Sequence, residues 1–259
     1  MTSTAVAAGL VQQLKTDRLL GIRSVPIPAP QRGVIAMSIS TAIGDIEVRQ
    51  AEPADAARKA EQLRVLDETQ VKGCRKCGLC ETRTQTVFGQ GNPSPRLVFV
   101  GEAPGFDEDR QGLAFVGKAG QLLTKMITAM GLSRDEVFIC NVLKCRPPNN
   151  RDPAAEEILA CSPYLRQQLL ILQPEVLVTL GAPATKTLLS TAESIGKLRG
   201  RFHDYSLSGV SGVGPSIPLM PTYHPAYLLR SPEEKRKAWD DLQLVMAFLG
   251  LPIRASQSA

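Results

Sequence analysis

A short apolar run, Leu97-Val98-Phe99-Val100, breaks abruptly into Gly101-Glu102-Ala103-Pro104-Gly105. Runs of this kind recur at 136–141, 175–180 and 217–222. Between the first two, Leu122, Leu123, Met126, Ile127 and Met130 repeat at helical spacing. Strands alternating with helices predict an α/β fold, a parallel sheet covered by helices on both faces. In such sheets ligands bind where the carboxyl ends of the strands converge on a crevice. The Gly/Pro turn after Val100 sets one carboxylate, Glu102, at that edge, where it can position water or stabilise a developing cation.

Element boundaries follow from capping chemistry. Asp152-Pro153 reads as an N-cap with Pro at the first helical position, opening a helix to about Leu170. Ser231-Pro232-Glu233-Glu234 reads as a capping box opening the last helix, which turns Trp239, Leu242, Val245, Met246 and Leu249 inward. A charged, Ala/Leu-bearing stretch from Ala54 to Gln70 reads as a helix leading into the first cysteines. Residues 1–55 lack sustained periodicity and are broken by prolines between Pro26 and Pro30. They are expected to form a disordered or loosely packed extension, ahead of a domain at 56–250 and a tail at 251–259.

A second strand-end motif is Thr222-Tyr223-His224-Pro225-Ala226-Tyr227-Leu228-Leu229-Arg230. The chain has two histidines, His203 and His224, so candidates for imidazole chemistry are few. A residue before proline is biased to extended backbone, which aims the His224 side chain off a strand end. Leu228 and Leu229 read as exposed and, with Arg230, suit an apolar wedge followed by a phosphate anchor. The net charge of +5 is mildly basic and by itself identifies no partner. Basic clusters at Lys197-Leu198-Arg199-Gly200-Arg201 and Lys144-Cys145-Arg146 read as solvated faces or phosphate contacts.

Six cysteines occur, Cys74, Cys77, Cys80, Cys140, Cys145 and Cys161. The polar, charge-broken N-terminus and the short apolar runs predict neither a secretory signal nor a membrane span, hence a cytoplasmic protein with reduced thiols. Clustered cysteines then point to metal. Cys74-x2-Cys77 with Cys145 and Cys161 suits tetrahedral zinc or a [4Fe–4S] cluster, spacing does not separate the two, and Cys80 leaves open a ferredoxin-type run Cys74-x2-Cys77-x2-Cys80. Cys140 sits inside an apolar strand and reads as an inert buried thiol.

In order and spacing, these pieces resemble the family 4 uracil-DNA glycosylases, the iron–sulfur branch of that superfamily. The likeness runs from Cys74 to about Leu249 and includes 87–93, 101–109, 115–120, 141–147, Cys161, 196–201 and 224–230. It implies a three-layer α/β/α sandwich with a four-stranded parallel sheet. It also implies a structural [4Fe–4S] cluster on Cys74, Cys77, Cys145 and Cys161. The implied activity is a monofunctional one: uracil is flipped out of single- or double-stranded DNA and its glycosidic bond hydrolysed, leaving an abasic site for base excision repair.

In that reading Gly101, Ala103, Phe115 and Asn141 bind the base, Phe115 by stacking and Asn141 through its Watson–Crick edge. His224 bonds the departing anion, and Glu102 serves the sugar cation or the water. Ala103 stands where several branches of the superfamily carry a water-activating Asp or Asn, so Glu102 or a backbone-held water must act instead. Leu228, and with it Leu229, would fill the vacated stack, with Lys197, Arg199, Arg201 and Arg230 near phosphates. No basic insertion follows Asn141, so turnover by a monomer is expected, without covalent capture. Two other readings compete. One is a non-catalytic iron–sulfur module that binds DNA or a polymerase. The other is a zinc protein acting on free nucleotides.

Overall fold

The computed structural model describes residues 53–207 and 215–252. Apart from 53–55 and 251–252, the expected extension and tail lie outside the described residues. Helix α1 (Pro53–Leu66) runs on through a π turn (Asp67–Val71) into the loop carrying Cys74 and Cys77, and α2 (Leu79–Thr82) follows as a single turn. Then come β1 (Gln90–Gly91), β2 (Leu97–Gly101), α3 (Phe106–Gln111), α4 (Lys118–Ala129) and β3 (Phe138–Asn141). Helix α5 (Ala155–Leu172), β4 (Val176–Leu180), α6 (Ala182–Leu189) and α7 (Ile195–Leu198) form the middle of the chain. Strands β5 (His203–Ser206) and β6 (Ser216–Thr222) and helices α8 (Pro225–Arg230) and α9 (Lys235–Phe248) complete the described elements.

The strand order is β1-β3-β2-β4-β6-β5. The central four pair in parallel, while β1 and β5 join antiparallel at the edges. The sheet is therefore six-stranded and mixed, where the resemblance implied four parallel strands. Neither edge strand could be read from hydropathy: β1 has two residues, and β5 is the polar run His203-Asp204-Tyr205-Ser206. Chain order reverses between β2 and β4, which places the crevice at their carboxyl ends.

Side chains alternate across the sheet with the period of two. Leu97, Phe99, Ile139, Val178 and Met220 pack with Leu123 and Ile127 of α4 and Leu242, Val245 and Met246 of α9. On the other face Val98, Val100, Cys140, Leu177 and Leu219 meet Leu63 of α1, Leu165, Leu169 and Leu172 of α5, and Ala184 of α6. Each face is thus closed by helices, and β2, β3 and β4 are buried throughout.

Two expected caps are placed differently. Helix α5 starts at Ala155 with Ala154 as its N-cap, the Ala154 N–H donating to Glu157 Oε2 at 2.8 Å. That frees Asp152, which lines the crevice instead. Ser231 makes no side-chain cap bond; Pro232–Glu234 forms a 3₁₀ turn, and α9 begins after it.

Candidate active site

The crevice is built from the loops after β2, β3 and β6. Gly101 and Asn141 are register partners, and the parallel ladder continues past the strand ends. The Val142 N–H donates to Gly101 O at 2.9 Å and the Leu143 N–H to Glu102 O at 3.0 Å. Glu102 is therefore anchored through its backbone while its side chain faces a cleft of about 550 Å³. Ala103, Phe115, Asn141 and His224 line the same cleft.

Gly101 lies beneath them, and the space explains its identity. A Cβ there would fall 2.3 Å from Asn141 Oδ1 and 2.6 Å from the Phe115 ring. Asn141 is 1% exposed, and its Oδ1 has no hydrogen-bond partner among the described residues. A buried acceptor left bare is costly, of order 1–3 kcal/mol, and suits a site that a ligand's N–H completes.

Phe115 has φ +54°, the left-handed region that a bulky residue rarely enters. Such strain persists only where the surroundings impose it. Here Glu108 Oε1 accepts from the Val116 and Gly117 N–H groups at 2.8 and 3.0 Å, pulling the chain into the turn. Gly120 lets α4 close against it, since a Cβ would come within 1.9 Å of Phe115 O. The ring is buried and sits 5.7 Å from the His224 ring, tilted by 35°. Glu108 and Gly120 are supports that sequence reading did not single out; the acidic run 107–109 and the tight glycine spacing were their only signals.

His224 is the N-cap of α8, extended at φ −67°, ψ 137°, with Pro225 at the first helical position. Its Nδ1 accepts the Ala226 N–H at 3.1 Å. Burial, reinforced by the Arg230 charge, pushes the imidazole down to about 4. The neutral ring therefore carries its proton on Nε2 and is a hydrogen-bond donor there. Gly181, at φ +91°, gives the ring room: a Cβ would lie 2.9 Å from His224 Cβ.

Glu102 is half-buried, and burial plus the nearby Asp152 charge push its carboxyl up to about 7. Asp152 enters the site from the loop before α5, having been read from sequence as a helix cap.

The expected DNA contacts divide. Leu228 is 1% exposed and Leu229 45%. The exposure read for Leu228 is thus corrected: successive residues on a helix point about 100° apart, and α8 turns Leu228 inward and Leu229 outward. Arg199 is also redirected. Its Nη2 and Nε donate to the fully buried Asp241 carboxylate at 2.8 and 3.0 Å, while Thr222 Oγ1 donates to the same carboxylate at 2.7 Å. The guanidinium anchors α9 and the end of β6, two residues before His224, rather than facing solvent. Lys197 and Arg201 are exposed, and Arg230 is exposed at the cleft. Lys144, read as part of a basic face, is buried and donates from Nζ to Asn141 O at 2.7 Å. His203 Nε2 lies 2.8 Å from Leu198 O and takes no part in the site.

The cysteines gather on the far side of the 141–145 segment. Cys74, Cys77, Cys145 and Cys161 line one small pocket with Leu79, Arg83 and Tyr164. Cys80 lines a separate hollow, and Cys140 is buried in β3. Donors surround the sulfurs: Arg83 Nη1 to Cys145 at 3.0 Å, the Lys144 N–H to Cys161 at 3.2 Å and Tyr164 Oη to Cys74 at 3.2 Å. No set of three His, Cys, Asp or Glu side chains among the described residues closes on a single ion. No helix among them is long and apolar enough to cross a membrane.

Residues 88–243 match the family model of the uracil DNA glycosylase superfamily. A type-4 uracil-DNA glycosylase of Saccharolobus solfataricus is 45% identical over 181 residues, covering 68% of this chain and 82% of that protein. A type-4 uracil-DNA glycosylase of Thermotoga maritima is 43% identical over 192 residues, covering 73% and 96% respectively. The chain belongs to the uracil-DNA glycosylase superfamily, in its type-4 branch.

Proposed function

We propose that this protein excises uracil from DNA by hydrolysis and releases an abasic site. The observation that carries this is the bare Asn141 Oδ1, buried beside the Phe115 ring in the cleft that His224 also lines. Asn141 Oδ1 accepts the N3–H of uracil and its amide N–H donates to O4. Cytosine offers an acceptor at N3 and a donor at C4, so both contacts reverse. Phe115 stacks on the pyrimidine face, and Gly101 lets the base approach.

The uracil-bearing nucleotide leaves the stack at a cost of a few kcal/mol. As the C1′–N1 bond breaks, its electron pair stays on uracil while the sugar becomes cationic. His224 Nε2 donates to O2 and stabilises the anion without giving up its proton. Glu102, ionised, faces the cation and takes a proton from the water that adds to C1′. Its carboxyl, held near 7, is matched to that task. Leu229 enters the vacated stack, and Arg230, Lys197 and Arg201 meet phosphates.

Cys74, Cys77, Cys145 and Cys161 would hold a [4Fe–4S] cluster, four thiolate donors in one pocket with N–H and O–H groups aimed at the sulfurs. Bound there, it would tie the 74–77 and 143–146 loops to α5 and would supply no bond-making step. The enzyme acts as a monomer and without lyase activity. A labelled oligonucleotide with one uracil, beside a thymine control, tests the reading. Strand scission confined to the uracil strand and appearing only after alkali supports it; no abasic sites from iron-loaded protein overturns it.

A further inference from the structure

Phe106 is 52% exposed, although it follows the Gly/Pro turn that carries Glu102. Two guanidinium groups flank its ring, Arg110 at 5.6 Å and Arg146 at 5.1 Å. They come from different elements: Arg110 lies one turn along α3, and Arg146 lies in the loop after β3. The ring thus joins two walls of the cleft, since its neighbours Gly105 and Asp107 line one side and Pro147 the other.

Neither arginine makes an ion pair among the described residues; Arg146 Nε only donates to Asn150 Oδ1 at 2.7 Å. The acids of α3 are mostly engaged elsewhere. Asp109 accepts the Thr84 N–H, Glu108 binds the Val116 and Gly117 N–H groups, and Asp107 alone faces solvent. Two cations held about an exposed aromatic ring, without a carboxylate to neutralise them, form a seat for an anion that also carries a flat ring.

We propose that Phe106, Arg110 and Arg146 bind the nucleotide next to the flipped uracil, its base stacking on Phe106 or a guanidinium plane and its phosphate meeting the arginines. This rests on the uracil-excision reading and extends it to the substrate's flank. Stacking of this kind is indifferent to base identity and operates on unpaired strands. The seat therefore favours single-stranded DNA, in which the flanking base is free to leave its neighbours.

The test compares Phe106→Ala and Phe106→Trp on single-stranded oligonucleotides with uracil internal or at either terminus. Phe106→Ala is expected to raise KM on the internal substrate about tenfold, with kcat changed far less, and Phe106→Trp to restore it. The defect should vanish on the one terminal substrate that lacks the flanking nucleotide. Arg146→Gln and Arg110→Gln should each flatten the salt dependence of binding by roughly 0.7 in log–log slope. An unchanged KM, or an equal rise on internal and both terminal substrates, overturns the proposal. Anisotropy with a uracil-free single strand reads the seat without catalysis. A wild-type protein that binds this strand through Phe106 but excises nothing would sink the excision reading alone.

Discussion

The cleft and the cysteine pocket share one segment, 141–145, yet they treat buried polar groups in opposite ways. At its start Asn141 keeps a bare acceptor, Phe115 sits in a strained backbone conformation, and Glu102 faces Asp152 with no cation bonded to it among the described residues. At its end the sulfurs of Cys145, Cys161 and Cys74 each have a donor within 3.2 Å. One end leaves interactions unmade for a substrate to complete. The other is braced to hold its loops still. Lys144 sits between them, buried, and its Nζ donates to Asn141 O.

The contrast breaks most severely at the cysteines. Cys145→Ser is expected to lose iron and visible absorbance and to lower the unfolding midpoint at once. Iron analysis beside a thermal melt checks this; full iron content in the variant would remove Cys145 from the ligand set. In the cleft the opposite pattern holds. Glu102→Gln and His224→Ala should each cost about 10²–10³-fold in single-turnover rate while the midpoint stays or rises, because groups arranged for catalysis oppose stability. A melt that falls with the rate would show these residues to be structural.

Arg199→Ala sharpens the comparison from outside both sites. It leaves the Asp241 carboxylate buried without its cation, at a cost of about 3–5 kcal/mol in chemical denaturation. If stability is unchanged and only DNA affinity falls, the arginine faces phosphate after all. Asn141→Asp removes the amide donor and should reduce the preference for uracil over cytosine, read on paired oligonucleotides.

The smallest effect is in pH. The catalytic form of Glu102 is the anion, so kcat should fall about tenfold per unit below roughly pH 7 and level off above it. Asp152→Asn removes the neighbouring negative charge and should move that limb to lower pH. A limb that stays in place would show that burial alone raises the Glu102 carboxyl. His224 stays neutral across the same range and adds no second limb.

Hydropathy and turn chemistry alone located the strand ends that carry Glu102 and His224, because a short apolar run ending on Gly or before Pro has few conformations open to it. They also separated the two faces of the last helix, where Leu242, Val245 and Met246 do pack inward. The type-4 pattern of cysteines and loops was legible for the same reason: spacing along the chain is local information. Only the tertiary structure decided which neighbours these groups have. Asp152 left its expected cap to face Glu102, Arg199 turned to a carboxylate 42 residues away, and Leu228 and Leu229 parted by the roughly 100° between successive helix residues. Each outcome depends on contacts between segments distant in sequence. Pairing energies across such distances are set by packing, burial and dielectric, none of which a residue carries by itself.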